Sequence, residues 1–127
     1  MDFVSPEDLP APAGYSHLVI TDPGARLVVI SGQVGMAADG TVAYGWEAQI
    51  RQTFANLGVA LAAAGATWAE AVKLTYFVVS TTELPMIRRV RDEFVDVEHP
   101  PASSLLQVSG LFRPDVLIEI EATAAIS

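Results

Sequence analysis

The sequence predicts an α+β domain, with one mixed sheet and two helices on one face, in the chain order β-β-α-β-α-β-β. Three observations carry this. Apolar residues recur at helical spacing twice, at Trp46, Ile50, Phe54, Leu57 and Leu61 and again at Ile87, Val90, Phe94 and Val97. Runs rich in β-branched and aromatic residues stand before, between and after those stripes. The last run, residues 117–122, alternates strictly: Leu117, Glu119 and Glu121 share one side, and Ile118, Ile120 and Ala122 the other. A strand, a helix and a strand in series form a right-handed crossover. Both helices then cover one face of the sheet and leave the other open.

Residues 1–14 hold Pro6, Pro10, Pro12 and Gly14 and read as a non-helical lead-in. Residues 15–21 read as a strand, Asp22-Pro23-Gly24-Ala25 as a turn, and residues 26–31 as the returning strand of a hairpin. The unbroken apolar run of that second strand predicts burial on both faces. Ser31-Gly32-Gln33 ends it, and Gly32 allows something to approach the backbone closely. Asp39-Gly40 marks a tight turn in the loop that follows. The first helix closes at Gly65 in a left-handed cap. Residues 71–79 form the next strand. Thr81 or Thr82 caps the second helix, with Pro85 in its first turn, and His99-Pro100-Pro101 stops it. Residues 100–109 and 117–122 supply the last two strands.

At 127 residues the chain is one domain, spanning 1–127. It has no cysteine, which excludes a thiolate metal site and a Cys nucleophile and suits a reducing, cytoplasmic setting. No apolar run is long enough to span a membrane. Hydrophobic residues make up 51% and charged residues only 17%, so part of the surface is expected to be hidden in an oligomer. The net charge is −8, with seven Lys and Arg in all, which argues against nucleic-acid and anionic-membrane partners. The two histidines have no ligand-like spacing and no phosphate-cradling glycine motif is present, so neither metal nor nucleotide cofactor is expected.

The chemistry-bearing candidates are few. Glu119 and Glu121, one repeat apart in a strand, are either a solvated sheet face or carboxylates aimed into a site. Arg88 and Arg91 share one helix face. They serve either ordinary pairing (Arg88 with Asp92, and Arg89 with Glu93, at i,i+4) or a cationic lip that holds a carboxylate. Tyr15 and Gln107 are polar groups at strands; Trp46 and Trp68 read as packing residues.

Several blocks then fall in a known order. Tyr15, Ser31-Gly32-Gln33, the helix through Gln49 and Asn56-Leu57, Ala63-Ala64-Gly65, Val72-Lys73-Leu74-Thr75, Phe94, Pro101-Ala102 and the run from Val116 to Ala122 resemble the RidA/YjgF family of reactive-intermediate deaminases. The resemblance covers almost the whole chain. It implies a chorismate-mutase-like fold, a homotrimer, and small carboxylate or imine ligands bound in clefts between subunits, with no cofactor. It implies a hydrolytic deaminase that converts 2-imino or enamine acids to 2-oxo acids and ammonia. Carried over residue by residue, it makes Glu119 the group that positions the attacking water, and Tyr15, Ser31 and Gly32 the pocket lining; Ser103 and Leu105 are further substrate-binding candidates. The chain departs from the pattern at Ser103, where active members carry the arginine that holds the substrate carboxylate. Losing such a partner costs roughly 2–5 kcal/mol, or about 30-fold to thousands-fold in affinity. Arg88 and Arg91 are the cations placed to substitute, which implies an altered substrate. Ala13-Gly14-Tyr15 also stands where the family has Gly-Pro-Tyr, and one residue is added around Phe112-Arg113-Pro114. The alternative is a non-catalytic acid-binding or regulatory module on the same fold. A ribonuclease reading meets the objection of charge.

Overall fold

Eight elements follow from these patterns in the computed structural model, which describes all residues, 1–127. They are β1 (Asp2–Val4), β2 (Leu18–Ile20), β3 (Arg26–Val34), α1 (Trp46–Ala63), β4 (Ala71–Val78), α2 (Leu84–Arg91), β5 (Ala102–Gln107) and β6 (Ile118–Ile126). The α1 stripe is apolar on one side only, so Ile50, Phe54, Leu57 and Leu61 are driven together onto the sheet and are fully buried. They meet Leu74, Tyr76 and Val78 of β4, Ile118, Ile120 and Ala122 of β6, and Ile87 and Val90 of α2 in one core. Gly65, at φ +76°, lets the chain leave α1 in the left-handed cap expected of it. Ahead of β4, a single turn at residues 68–70 is held by a reciprocal cap between Thr67 and Glu70.

The main sheet has the order β3-β6-β4-β5. β6 runs antiparallel to both its neighbours, while β4 and β5 are parallel and joined through α2. β3, β4 and β5 therefore point the same way, as two crossovers with helices on one face require.

Three expectations are corrected. The hairpin does not form. The turn at residues 22–25 closes, with the Ala25 amide donating to Asp22 O at 3.2 Å. Beyond it, however, β3 enters the main sheet beside β6, and β2 pairs instead with β1, taken from the lead-in. Turn residues set the local turn and do not decide which strand β3 pairs with. Second, β3 is not buried on both faces: Ile30 is buried, but Leu27 is 65% and Val29 78% exposed on the open side of the sheet. It also continues past Gly32, through a register shift between Ile30 and Gln33. Third, α2 ends at Arg91, and its N-cap is Glu83 rather than either threonine. Val97 thus lies outside the helix and is exposed, whereas Phe94 still reaches the core and stacks on Phe54, with centroids 5.4 Å apart. No helix is long and apolar enough to cross a membrane.

Candidate functional site

A cleft of about 240 Å³ opens between α2, the outer strand β5 and the segment leading into β2. Three local features build it. Ser16 is buried and ties that segment to the start of β5: its amide donates to Pro101 O at 3.2 Å and its hydroxyl to Pro100 O at 2.6 Å. This brings Tyr15 to the cleft wall opposite α2. The parallel register sets Ser103 beside Leu74 and Leu105 beside Tyr76, so both turn to the helix-bearing face. Arg88 and Arg91, three apart, both face the same space from α2. The cleft thus gathers five of the expected site residues: Tyr15, Arg88, Arg91, Ser103 and Leu105.

The cations do not pair at i,i+4 as the helix spacing allowed. Arg89 reaches across to Glu47 at 3.4 Å, and Glu93 is taken by Arg51 at 2.7 Å. Arg91 bonds Asp92 Oδ1 through Nε at 2.9 Å and donates to Ala13 O at 3.3 Å; its side chain is only 12% exposed. Arg88 has neither an ion-pair nor a hydrogen-bond partner, although it lines the cleft. Of the two guanidinium groups that line the cleft only Arg91 meets a carboxylate, which leaves the cleft with an excess positive charge.

Gly14 explains how Arg91 gets there. It sits at φ +79°, and a Cβ at that position would lie 2.0 Å from one terminal nitrogen of Arg91. A proline at position 14 would hold φ near −65° and carry a ring into the space the guanidinium fills. Gly14→Ala should lower the free energy of unfolding by about 1–2 kcal/mol from the left-handed backbone alone, read as an earlier midpoint in urea.

One wall residue was not legible as functional. Tyr76 lines the cleft but is only 3% exposed, and its hydroxyl is buried without any hydrogen-bond partner. Burial pushes its ionisation well above the ordinary tyrosine range, so it is a neutral donor. Tyrosine is a common strand residue, so sequence carries no signal for an orphaned hydroxyl.

The remaining site residues lie elsewhere. Glu119 stands opposite Phe77 and Val34, and its alternation with the buried Ile118 and Ile120 turns it to the open face of the sheet. Ser31 and Gly32 are there too, exposed at the register shift of β3. The close approach foreseen at Gly32 is made by Glu119: a Cβ on Gly32 would lie 2.1 Å from Glu119 Oε2. Buried Gln49 steadies this region from α1. Its amide nitrogen donates to Ala43 O at 3.0 Å and Asp115 O at 2.7 Å, and its oxygen accepts from the Leu117 amide at 2.9 Å. Asn56 holds the end of β3 in the same way, donating to Val34 O at 3.0 Å and Met36 O at 2.8 Å. Within one protomer the site residues thus form two groups on opposite faces of the sheet.

Comparison with known proteins agrees with this architecture. Residues 6–126 match the family model described as Endoribonuclease L-PSP. The chain is 34% identical to a 2-iminobutanoate/2-iminopropanoate deaminase of Salmonella typhimurium, covering 95% of this chain and 94% of that one. Among solved structures it resembles a Yersinia pestis protein of unknown function in the conserved Rid family, with a TM-score of 0.84, 34% identity and 98% of each chain covered. It also resembles Escherichia coli TdcF with bound serine, with a TM-score of 0.74, 30% identity and all of both chains covered.

Proposed function

The chain belongs to the Endoribonuclease L-PSP family, the RidA/YjgF proteins, and from that premise we propose that it binds a small carboxylic acid in the Arg88 cleft and hydrolyses its imine or enamine. The observation that carries this reading is Arg88, a cation without a partner on the rim of a small, partly apolar cleft. A carboxylate is the acceptor that a guanidinium fork fits best. The volume suits a metabolite of a few heavy atoms rather than a nucleotide. The similar TdcF structure holds serine, also a small carboxylate.

In the hydrolysis, water adds to the C=N carbon as Glu119 takes one of its protons. That proton passes to the nitrogen to give a carbinolamine, which loses its hydroxyl proton to the nitrogen, through Glu119, as the C–N bond breaks; ammonia leaves a 2-oxo acid behind. No single protomer can use both Glu119 and the Arg88 cleft, because they open to opposite faces of the sheet. A site that uses both has to be completed by a neighbouring copy, which is the shared-cleft homotrimer that the family resemblance implies. Exposed Leu27, Val29 and Leu106, all on the open face, support such a neighbour.

A non-catalytic acid-binding module is favoured by one observation, the serine at position 103. A ribonuclease is disfavoured by the net charge of −8. The binding half of the proposal is tested by titrating 2-oxobutanoate into wild type, Arg88→Ala and Arg91→Ala. Arg88→Ala should weaken binding about tenfold or more, as loss of a charge-assisted bond does. Unchanged affinity in both variants would sink the cleft as the acid site.

A further inference from the structure

We infer that the Tyr76 hydroxyl is a ligand-binding donor in the Arg88 cleft and selects small monocarboxylates that carry a second polar acceptor next to the carboxylate over the plain fatty acids of the same length. This rests on the reading of the cleft as an acid site and names its substrate class.

Three observations lead to it. Tyr76 lines the one cleft that gathers Arg88, Arg91 and Ser103, and its hydroxyl is buried with no partner in the protein. A buried hydroxyl left unpaired is costly, so the group that satisfies it comes from whatever fills the cleft. Second, charge decides which part of a ligand goes where. Arg88 and Arg91 against Asp92 leave a single excess positive charge, which matches one carboxylate. A carboxylate takes the charge-assisted forks in preference to a neutral phenol. The phenol is left for a neutral oxygen or nitrogen on the same molecule. Third, the hydroxyl remains a donor. Burial keeps it protonated, and the influences of Arg91 and Asp92 on it oppose each other. Its neighbour across the strand pair is Leu105, which offers no competing acceptor from its side chain.

A 2-oxo, 2-hydroxy or 2-imino acid meets these demands. A plain fatty acid fills the same space but leaves the hydroxyl orphaned. Sites built to hydrogen-bond a substrate group discriminate strongly against analogues that lack it.

The test is calorimetric titration of 2-oxobutanoate and butanoate into wild type, Tyr76→Phe and Arg88→Ala. Wild type should prefer the oxo acid about tenfold. Tyr76→Phe should bring the two acids within about twofold, mainly by weakening the oxo acid. Arg88→Ala should weaken both acids alike and leave their ratio intact. A preference that survives in Tyr76→Phe, or one absent from wild type, overturns the role of Tyr76 while the acid site stands. If neither acid binds wild type, the acid site fails and this inference falls with it. Folding is checked by thermal melting without ligand, where Tyr76→Phe should melt no lower than wild type, because it removes only an unpaired polar group.

Discussion

Glu119→Gln should slow ammonia release from an imino acid by about a hundredfold or more, the typical loss when a positioned general base is removed. The assay generates the imino acid in place with an amino-acid oxidase and follows ammonia. The amide has the shape of the carboxylate and can rest against Gly32 in the same way, so the fold should not change. It cannot take a proton from water. Binding of 2-oxobutanoate should fall far less than turnover, because the amide keeps the shape of the neighbour's carboxylate and Arg88 and Arg91 still hold the acid. A large loss of turnover with binding preserved separates a chemical role from a structural one. If Glu119→Gln and wild type release ammonia at the same measurable rate, Glu119 is not the base. If both are silent while the acid still binds, the non-catalytic module replaces the hydrolase.

Gln49→Leu should cost about 3 kcal/mol of stability. The Gln49 side chain is 2% exposed and answers three backbone groups at once, on Ala43, Asp115 and Leu117. Leucine fills the volume but leaves two carbonyls and an amide to find water in a crowded place. Each orphaned group costs roughly 1–3 kcal/mol, and partial access to solvent keeps the sum at the low end. Against a net stability of about 5–15 kcal/mol for a domain of this size, that is a large share. The melting temperature should fall on the order of 10 °C. Thr53→Val is the control. Its hydroxyl bonds only back to Gln49 O at 2.7 Å within the same helix, and its loss should cost no more than about 1 kcal/mol. Equal losses in the two variants would mean that α1 is simply sensitive to substitution and that Gln49 does not clamp the strand. Because Leu117 lies two residues before Glu119, Gln49→Leu should also lower turnover in protein that is still folded.

The local elements were open to reading from residue order. A stripe at intervals of three and four needs a single apolar neighbour, so α1 and the core end of α2 follow from it. Strict alternation over residues 117–122 places Ile118 and Ile120 inward and Glu119 outward, and they lie that way. Gly32 announced a close approach, though not by which group. Family resemblance raised Glu119, Tyr15, Ser31 and Gly32 as candidates and marked the departure at Ser103, while helix spacing raised Arg88 and Arg91.

Partners, faces and clefts were settled by contacts between distant parts of the chain. β2 took β1 rather than β3, β3 ran on past Gly32, and Val97 was left exposed, because periodicity describes one segment's own faces and is silent about what covers them. The same limit hid the division of the site. Tyr15 and Ser103 come to line one cleft through the Ser16 tie to Pro100 and Pro101, and Arg91 reaches its place only because Gly14 lacks a side chain. Whether a tyrosine hydroxyl is satisfied depends on atoms from several elements at once. For Tyr76 that could be read only from the assembled fold, where nothing in the chain answers it.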